Sequence, residues 1–172
     1  MPKCDRLVEL GRRQFLRGGA VAAAGAAAAT VATPRPAEAR ARVDYPSTRL
    51  ANVSELTANE PLEIEYPDGD SPGVLIKLGT RVPGGAGPDG DIVAYSTLCP
   101  HKGYPLAYHA PDKTLNCPGH YSRFDAEMEG QQIFGQANQS LPKFELRVDA
   151  NGDIFAEGAD ELIYGRTNNV LG

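Results

Sequence analysis

Two short motifs each carry one cysteine and one histidine. The first reads Cys99-Pro-His101, and after fifteen residues the second reads Cys117-Pro-Gly-His120. Thiolates and imidazoles bind transition metals, so the four side chains form a ligand set of two sulfurs and two nitrogens. The pattern predicts a metal centre held by two loops.

A single structural zinc ion is one alternative, because Cys₂His₂ sites bind zinc tetrahedrally. Zinc fingers usually place two cysteines on one knuckle and two histidines on the other, whereas each motif here is mixed. Mixed loops suit a binuclear iron–sulfur cluster in which the cysteines hold one iron and the histidines hold the other. We favour the cluster and keep a structural zinc module as an alternative.

Cysteine usage gives a further alternative. The chain has three cysteines, and Cys4 lies in an N-terminal leader. Without the leader, Cys99 and Cys117 are the only two, and in an oxidising compartment such a pair commonly forms a disulfide. A structural disulfide leaves the matched histidine spacings unexplained, so the metal centre is preferred.

The leader differs in composition from the rest of the chain. Its twin-arginine motif reads Gly11-Arg12-Arg13-Gln14-Phe15-Leu16-Arg17, an alanine-rich apolar run follows over 18–31, and Ala37-Glu38-Ala39 fits a small-residue cleavage site. We therefore predict a twin-arginine signal peptide over 1–39 and a periplasmic location. The apolar run is shorter than the roughly 20 residues that span a bilayer. Membrane association is expected only if the leader is kept as an anchor.

The remainder, residues 40–172, is long enough for one domain with a core of its own. The whole chain has 17 Lys and Arg against 22 Asp and Glu, a net charge of −5, and the leader holds six of the basic and three of the acidic residues. The acidic remainder argues against nucleic acid as a partner and favours a basic face on a redox partner. Its residues show no pattern for chemistry on a substrate, such as a Ser/His/Asp set.

Short strands must position the two motifs. Alternating apolar residues and turn signals predict strands at 62–66, 74–78, 91–96, 131–134, 144–148 and 154–156. The glycine-rich and proline-rich residues 79–90 predict an irregular loop, and short helices at 112–115 or 160–164 stay open. The fold class is all-β, an antiparallel sandwich or barrel with an inserted cluster-binding subdomain of two loops at about 96–142.

The two motifs and their separation resemble the Rieske iron–sulfur family. The resemblance implies a single Rieske-type domain that binds a [2Fe–2S] cluster through two cysteines and two histidines. The implied ligands are Cys99, His101, Cys117 and His120. Ser122 matches the family serine whose hydroxyl bonds to a bridging sulfide.

Three positions depart from the quinol-oxidising members of that family. Those members carry a disulfide that braces the loops, and this sequence has Tyr104 and Gly119 instead, while Phe124 replaces a tyrosine that donates to a cysteine sulfur. Hydrogen bonds to the sulfurs raise the potential because they stabilise the more negative reduced cluster. The departures favour a lower potential, so a Rieske subunit of a quinol:cytochrome c oxidoreductase is the runner-up function.

A finer resemblance is to the small subunit of arsenite oxidase. It is carried by the segments 122–125, 135–137, 141–142, 153–158 and 160–166. It implies a heterodimer with a large molybdopterin and iron–sulfur subunit that oxidises arsenite to arsenate. This chain would be the non-catalytic electron-transfer subunit, with a soluble cytochrome c or a small copper protein as acceptor. Residues 135–142 would cover the cluster.

Overall fold

The computed structural model describes residues 44–170. The predicted leader over 1–39, with Cys4 and the cleavage site, lies outside them. The described part contains one 3₁₀ helix, Val53–Glu55, and ten strands. The strands are β1 (Thr48–Asn52), β2 (Pro61–Glu65), β3 (Pro72–Lys77), β4 (Ile92–Ser96), β5 (Ala107–His109), β6 (Thr114–Asn116), β7 (Arg123–Asp125), β8 (Gln131–Phe134), β9 (Phe144–Val148) and β10 (Asp153–Ala159).

The strands form three antiparallel sheets, in the orders β1-β10-β9, β2-β3-β4 and β5-β6-β7-β8. The first two sheets build the base of the domain around one apolar core. The third is inserted between β4 and β9 and forms the subdomain that carries both motifs. This arrangement confirms the predicted all-β antiparallel fold. Within residues 44–170, no helix is long and apolar enough to cross a membrane.

Strand β4 joins the two parts of the molecule because all five of its residues are buried. Successive side chains of a strand point to opposite faces. Ile92 and Ala94 therefore pack in the base core, whereas Val93 and Tyr95 pack in the core of the inserted subdomain. The Tyr95 hydroxyl also donates to the carbonyl of Ala126 at 3.0 Å, so β4 is tied to the subdomain by a buried hydrogen bond.

Most of the predicted strands are present. Strands β8 and β9 have the predicted bounds, and β2, β3, β4 and β10 overlap the predicted ranges with shifted ends. The loop over 79–90 is irregular as predicted, apart from an isolated bridge at Ala86. Neither open helix forms, since Thr114–Asn116 is strand β6 and 160–164 is irregular.

Four strands were not predicted. Strands β5, β6 and β7 have three residues each, which is too short for a period of two to be visible. Strand β1 alternates only weakly in burial and contains an irregular step in its pairing with β10 between Arg49 and Ala51. These four strands are identified only in the structure, from the strands with which they pair.

Candidate metal centre

The first motif lies in a loop between β4 and β5, residues 99–104, which we call loop 1. The Cys99 amide donates to the Tyr104 carbonyl at 2.9 Å, and the Gly103 amide donates back to the Cys99 carbonyl at 2.8 Å. Gly103 has φ 70°, in the left-handed region. These two bonds close the loop, and Leu98 and Pro105 form one isolated bridge at its base.

The second motif lies in the hairpin loop between β6 and β7, residues 117–122, which we call loop 2. The Cys117 amide donates to the Ser122 carbonyl at 2.8 Å, and the Tyr121 amide donates to the Cys117 carbonyl at 3.1 Å. Tyr121, with φ 60°, occupies the same left-handed position as Gly103 in loop 1. The two loops thus share one hydrogen-bond scheme, which begins at the cysteine in each.

The two cysteines lie at the inner side of the loops. Cys99 and Cys117 are 1% and 3% exposed, and both are free thiols, so the structural disulfide considered from the sequence is absent from the described structure. Burial raises the pKa of the Cys99 thiol, and the adjacent Cys117 thiol adds to the rise. A coordinating metal reverses this preference, because its positive charge deprotonates the thiol.

The two histidines lie side by side. The ring centroids of His101 and His120 are 4.7 Å apart, with an angle of 76° between the rings. His101 Nδ1 is buried and is the one such side-chain nitrogen or oxygen in residues 44–170 that lacks a hydrogen-bond partner. Burying a polar atom without a partner is costly, and metal coordination removes that cost. His120 is exposed at the tip.

The residues present fit a binuclear cluster. Within residues 44–170, no three His, Cys, Asp or Glu side chains are grouped around a single point. Four ligands divided two and two between the irons need no such point. The buried thiols and the adjacent imidazoles supply this division, with sulfur ligands inside and nitrogen ligands towards the surface.

Ser122 is fully buried beside the ligands. Its hydroxyl oxygen accepts from the amides of Gln136 and Ala137, both at 3.0 Å. These two bonds occupy the oxygen and leave the hydroxyl proton for an acceptor on another side. A Cβ added to Gly135 would lie 2.4 Å from the Ser122 Cα, so the segment that starts at Gly135 lies against loop 2. That residues 135–142 cover the cluster stays a prediction.

The positions of the missing disulfide are in contact with each other. A Cβ added to Gly119 would lie 2.9 Å from Cγ and Cδ2 of Tyr104, so the aromatic ring lies against the glycine backbone. The same ring meets His120 edge to face at 5.8 Å between centroids. An aromatic contact therefore links loop 1 to loop 2 at the two positions where the family resemblance places the disulfide of quinol-oxidising members. Phe124 is buried in the same apolar core as both cysteines.

Charged side chains surround the subdomain but do not join the metal centre. His109 is exposed, and its Nδ1 lies 2.7 Å from Asp112. Arg123 donates to Asp112 and to Asn116, which ties β6 to β7 below loop 2. The hydrogen bond from His109 lowers the pKa of Asp112 to about 2. Lys102 is an exposed residue of loop 1.

A family described as the Rieske [2Fe-2S] domain matches residues 47–145, more than half of the chain. The chain belongs to the Rieske family. The match spans both loops and most of the base of the domain. The predicted family and the predicted [2Fe–2S] cofactor are thereby confirmed, and the zinc module is not.

Two similar proteins align with nearly the whole length of this Rieske protein. The iodate reductase subunit IdrB of Denitromonas iodatirespirans is 38% identical over 169 residues, which cover 95% of this chain and 88% of that protein. The protein of the same name from Pseudomonas sp. strain SCT is 36% identical over 159 residues, which cover 91% and 82%.

A solved structure gives the same fold. The soluble domain of the Rieske protein II from Sulfolobus acidocaldarius superposes with a TM-score of 0.60 at 25% identity, covering 67% of this chain and 78% of that one. The superposition supports the predicted Rieske-type fold.

Proposed function

We propose that this Rieske protein is the electron-transfer subunit of a larger oxidoreductase, and that Cys99, His101, Cys117 and His120 bind its cluster. The observation that carries the proposal is the convergence of two buried free thiols and two adjacent imidazoles in loops of one design. The bound cluster supplies reversible one-electron transfer. The surrounding residues fix its position and limit its access to water.

The ligands divide into an inner and an outer pair. Cys99 and Cys117 would hold one iron on the inner side of the loops, where both side chains are nearly inaccessible. His101 and His120 would hold the other iron, and the exposure of His120 would give a redox partner access to that side of the site. The Ser122 hydroxyl oxygen already accepts two amide protons, so its own proton would be available to the bound group.

The partner is a large molybdopterin subunit that carries out the substrate chemistry. Two relatives that match this chain over most of its length are named as subunits of iodate reductase. The molybdopterin cofactor of the partner is supported by the resemblance of the segments around Ser122 and Gly135 to the small subunit of arsenite oxidase. This chain is therefore the non-catalytic subunit of a heterodimer.

The substrate of that partner is arsenite, which it oxidises to arsenate. This chain would relay the electrons to a soluble cytochrome c or a small copper protein. The support for arsenite is the resemblance of the C-terminal half of the sequence to the small subunit of arsenite oxidase.

Iodate is the second candidate substrate, because the relatives at 38% and 36% identity are named for its reduction. The two candidates differ in the direction of electron flow. An oxidase delivers electrons to this subunit, and a reductase takes them from it.

A quinol-oxidising role has less support. Tyr104 and Gly119 stand where quinol-oxidising members of the family carry their bracing disulfide, and Phe124 lacks the hydroxyl of the family tyrosine. Both differences lower the expected potential. The leader over 1–39 supports export by the twin-arginine route, which carries folded proteins, and hence a periplasmic site of action.

The ligand assignment is tested by substituting the three histidines one at a time. His101→Ser and His120→Ser should each abolish the Rieske-type electron paramagnetic resonance spectrum of the reduced protein. His109→Ser is the matched control and should leave it unchanged, because His109 is exposed and paired with Asp112. An unchanged spectrum in His120→Ser, or a colourless protein with zinc and no acid-labile sulfide, would refute the assignment.

The partner is tested by purifying the tagged chain from its own host. A molybdenum-containing large subunit should co-purify. The complex should then be assayed with arsenite plus oxidised cytochrome c and with iodate plus a reduced carrier. Turnover in one assay alone decides the substrate. Recovery of cytochrome b without a molybdenum subunit would contradict the proposal.

A further inference from the structure

The C-terminal segment 160–170 has no regular secondary structure, yet it is firmly attached to the base. We call it the strap. Ile163 is 1% exposed and packs in the base core. Its amide donates to Asn169 Oδ1 at 2.9 Å. Asn169 is 3% exposed and its Nδ2 donates to the Glu161 carbonyl at 2.8 Å and to the Tyr45 hydroxyl at 3.0 Å.

An ion pair adds a second attachment. Arg166 donates to both carboxylate oxygens of Asp68, at 2.7 and 2.6 Å, and its side chain is 10% exposed. Such a two-point contact fixes orientation as well as distance. Hydrogen bonding to Arg166 lowers the pKa of Asp68. The strap is thus held at Asp68 and at Tyr45.

One residue of the strap reaches the metal centre. A Cβ added to Gly103 would lie 2.5 Å from Cε1 and 2.6 Å from Cδ1 of Tyr164, so the ring lies against the backbone of loop 1. Gly103 has no side chain to keep the ring away, and its φ of 70° also favours glycine. The contact is made two residues beyond His101.

The residue that Tyr164 contacts also takes part in the hydrogen bonds that close loop 1. The amide of Gly103, the residue against which the Tyr164 ring lies, donates to the Cys99 carbonyl at 2.8 Å. The next residue, Tyr104, lies against Gly119 of loop 2. A continuous series of contacts therefore runs from the strap through loop 1 to loop 2.

We propose that Tyr164 is a positioning residue, which holds loop 1 in the geometry that Cys99 and His101 need to bind the cluster. Loop 2 is flanked by the paired strands β6 and β7, whereas β4 and β5 on either side of loop 1 lie in different sheets and do not pair with each other. The base of loop 1 is closed by the isolated bridge between Leu98 and Pro105 and by a hydrogen bond from the Leu106 amide to the Thr97 carbonyl at 2.8 Å. The strap adds a contact to this loop, which no ladder of paired strands supports. This inference rests on the ligand assignment proposed above and is independent of the partner and its substrate.

The test uses the full chain with its cluster bound. Tyr164→Ala should speed the loss of the cluster to an iron chelator by about tenfold, the lower end of what outer-shell changes cost in metal affinity. It should also broaden the electron paramagnetic resonance spectrum and raise amide hydrogen exchange in residues 99–104 but not in 117–122. Tyr164→Phe should behave as the wild type, because the contacts are made by ring carbons.

Leu162→Ala is the matched control, since Leu162 is an exposed apolar side chain of the same segment. Arg166→Ala tests the attachment from a distance. It should reproduce the Tyr164→Ala phenotype, and the double variant should be no worse than either single one. If Tyr164→Ala weakens folding, Arg166→Ala still gives the exchange pattern of the two loops.

The inference is overturned if Tyr164→Ala matches Leu162→Ala in chelator kinetics and spectrum, or if exchange rises equally in both loops. A failure of the ligand assignment is distinct, because it would appear as a spectrum that survives His101→Ser.

Discussion

Loops 1 and 2 are two versions of one local structure with different support. In each, the cysteine amide donates to a carbonyl five residues on, and a left-handed residue follows the cysteine by four positions. Loop 2 closes a hairpin and is covered by the segment that starts at Gly135. Loop 1 joins the base to the subdomain and is in contact with Tyr164. The shared part is local chemistry, and the difference is tertiary packing.

The comparison shows where each half of the centre is vulnerable. Loop 2 depends on residues within its own subdomain, such as Ser122 and Gly135. Loop 1 depends on residues far away in the sequence. Substitutions near loop 2 should therefore act directly on the cluster, and those at the strap should act through loop 1.

The largest effect is expected from adding a side chain at Gly135, where the backbone lies against Ser122 of loop 2. Gly135→Ala would place its Cβ 2.4 Å from the Ser122 Cα and 2.7 Å from its nitrogen, at a φ of 100°. Because backbone cannot move aside easily, we expect about 3 kcal/mol of destabilisation and loss of the cluster. Thermal unfolding and iron content measure this.

Gly165→Ala is the matched control for that substitution. Gly165 has φ 82° but nothing within 4 Å of an added Cβ. It should cost only the conformational strain, about 1 kcal/mol, and keep the cluster. Equal losses in the two variants would show that strain, and not the contact with loop 2, is responsible.

The hydroxyl of Ser122 should act on the potential. Ser122→Ala removes the hydroxyl that we propose as a donor to the cluster, and we expect the reduction potential to fall by about 60 mV, or about 1.4 kcal/mol for one electron. Ser96→Ala is the comparison on the loop 1 side. Ser96 is also fully buried and accepts from the Leu98 amide at 3.3 Å. It should lower stability but leave the potential measured by voltammetry unchanged.

A hydroxyl added near the cysteines should have the opposite sign. Phe124→Tyr restores the donor found in quinol-oxidising relatives and should raise the potential by about 40 mV, or about 1 kcal/mol. Phe124→Leu keeps the site apolar and serves as the control. A rise of the same size in Phe124→Leu would contradict a hydrogen-bond origin.

Substitutions at the residue with positive φ should change stability in opposite directions in the two loops, by less than the changes above. Tyr121 has φ 60° and is 72% exposed, so its ring gains little packing for the strain. Tyr121→Gly should stabilise the protein by about 1 kcal/mol in thermal unfolding. Gly103→Ala, the equivalent change in loop 1, should destabilise because the Tyr164 ring occupies the space. Destabilisation by Tyr121→Gly would show that the tyrosine packs more tightly than its exposure indicates.

The smallest effect is expected from Asp112, which accepts a hydrogen bond from Arg123 of β7. The hydrogen bond with His109 lowers the pKa of Asp112 from 3.8 to about 2. A carboxyl group whose pKa is lowered by folding stabilises the folded state at pH values above its pKa in the unfolded chain. This stabilisation is lost as the pH falls from about 4 towards about 2. The wild type should therefore lose more stability than Asp112→Asn over this range. High salt should shrink the difference, since the group is exposed. An equal loss in both proteins would show that Asp112 does not contribute.

The sequence was sufficient to predict the cofactor and much of the fold, and to propose the ligands, because these features are encoded locally. Cys99 and His101 lie within one turn, as do Cys117 and His120, so their spacing alone indicated which residues meet. Strands with several alternating residues, such as β9, were also visible. The three-residue strands β5 to β7 were not, because such segments are specified by their neighbours and not by their own period.

The sequence by itself determined the metal-binding chemistry, which comes from two thiols and two imidazoles in two short motifs, and the residues at the positions of the bracing disulfide. Only the tertiary structure decided how the two loops are held. It brought Tyr104 against Gly119, Gly135 against Ser122 and Tyr164 against Gly103. The physical reason is that a glycine marks where a backbone can be approached, but only the folded chain selects the side chain that approaches it.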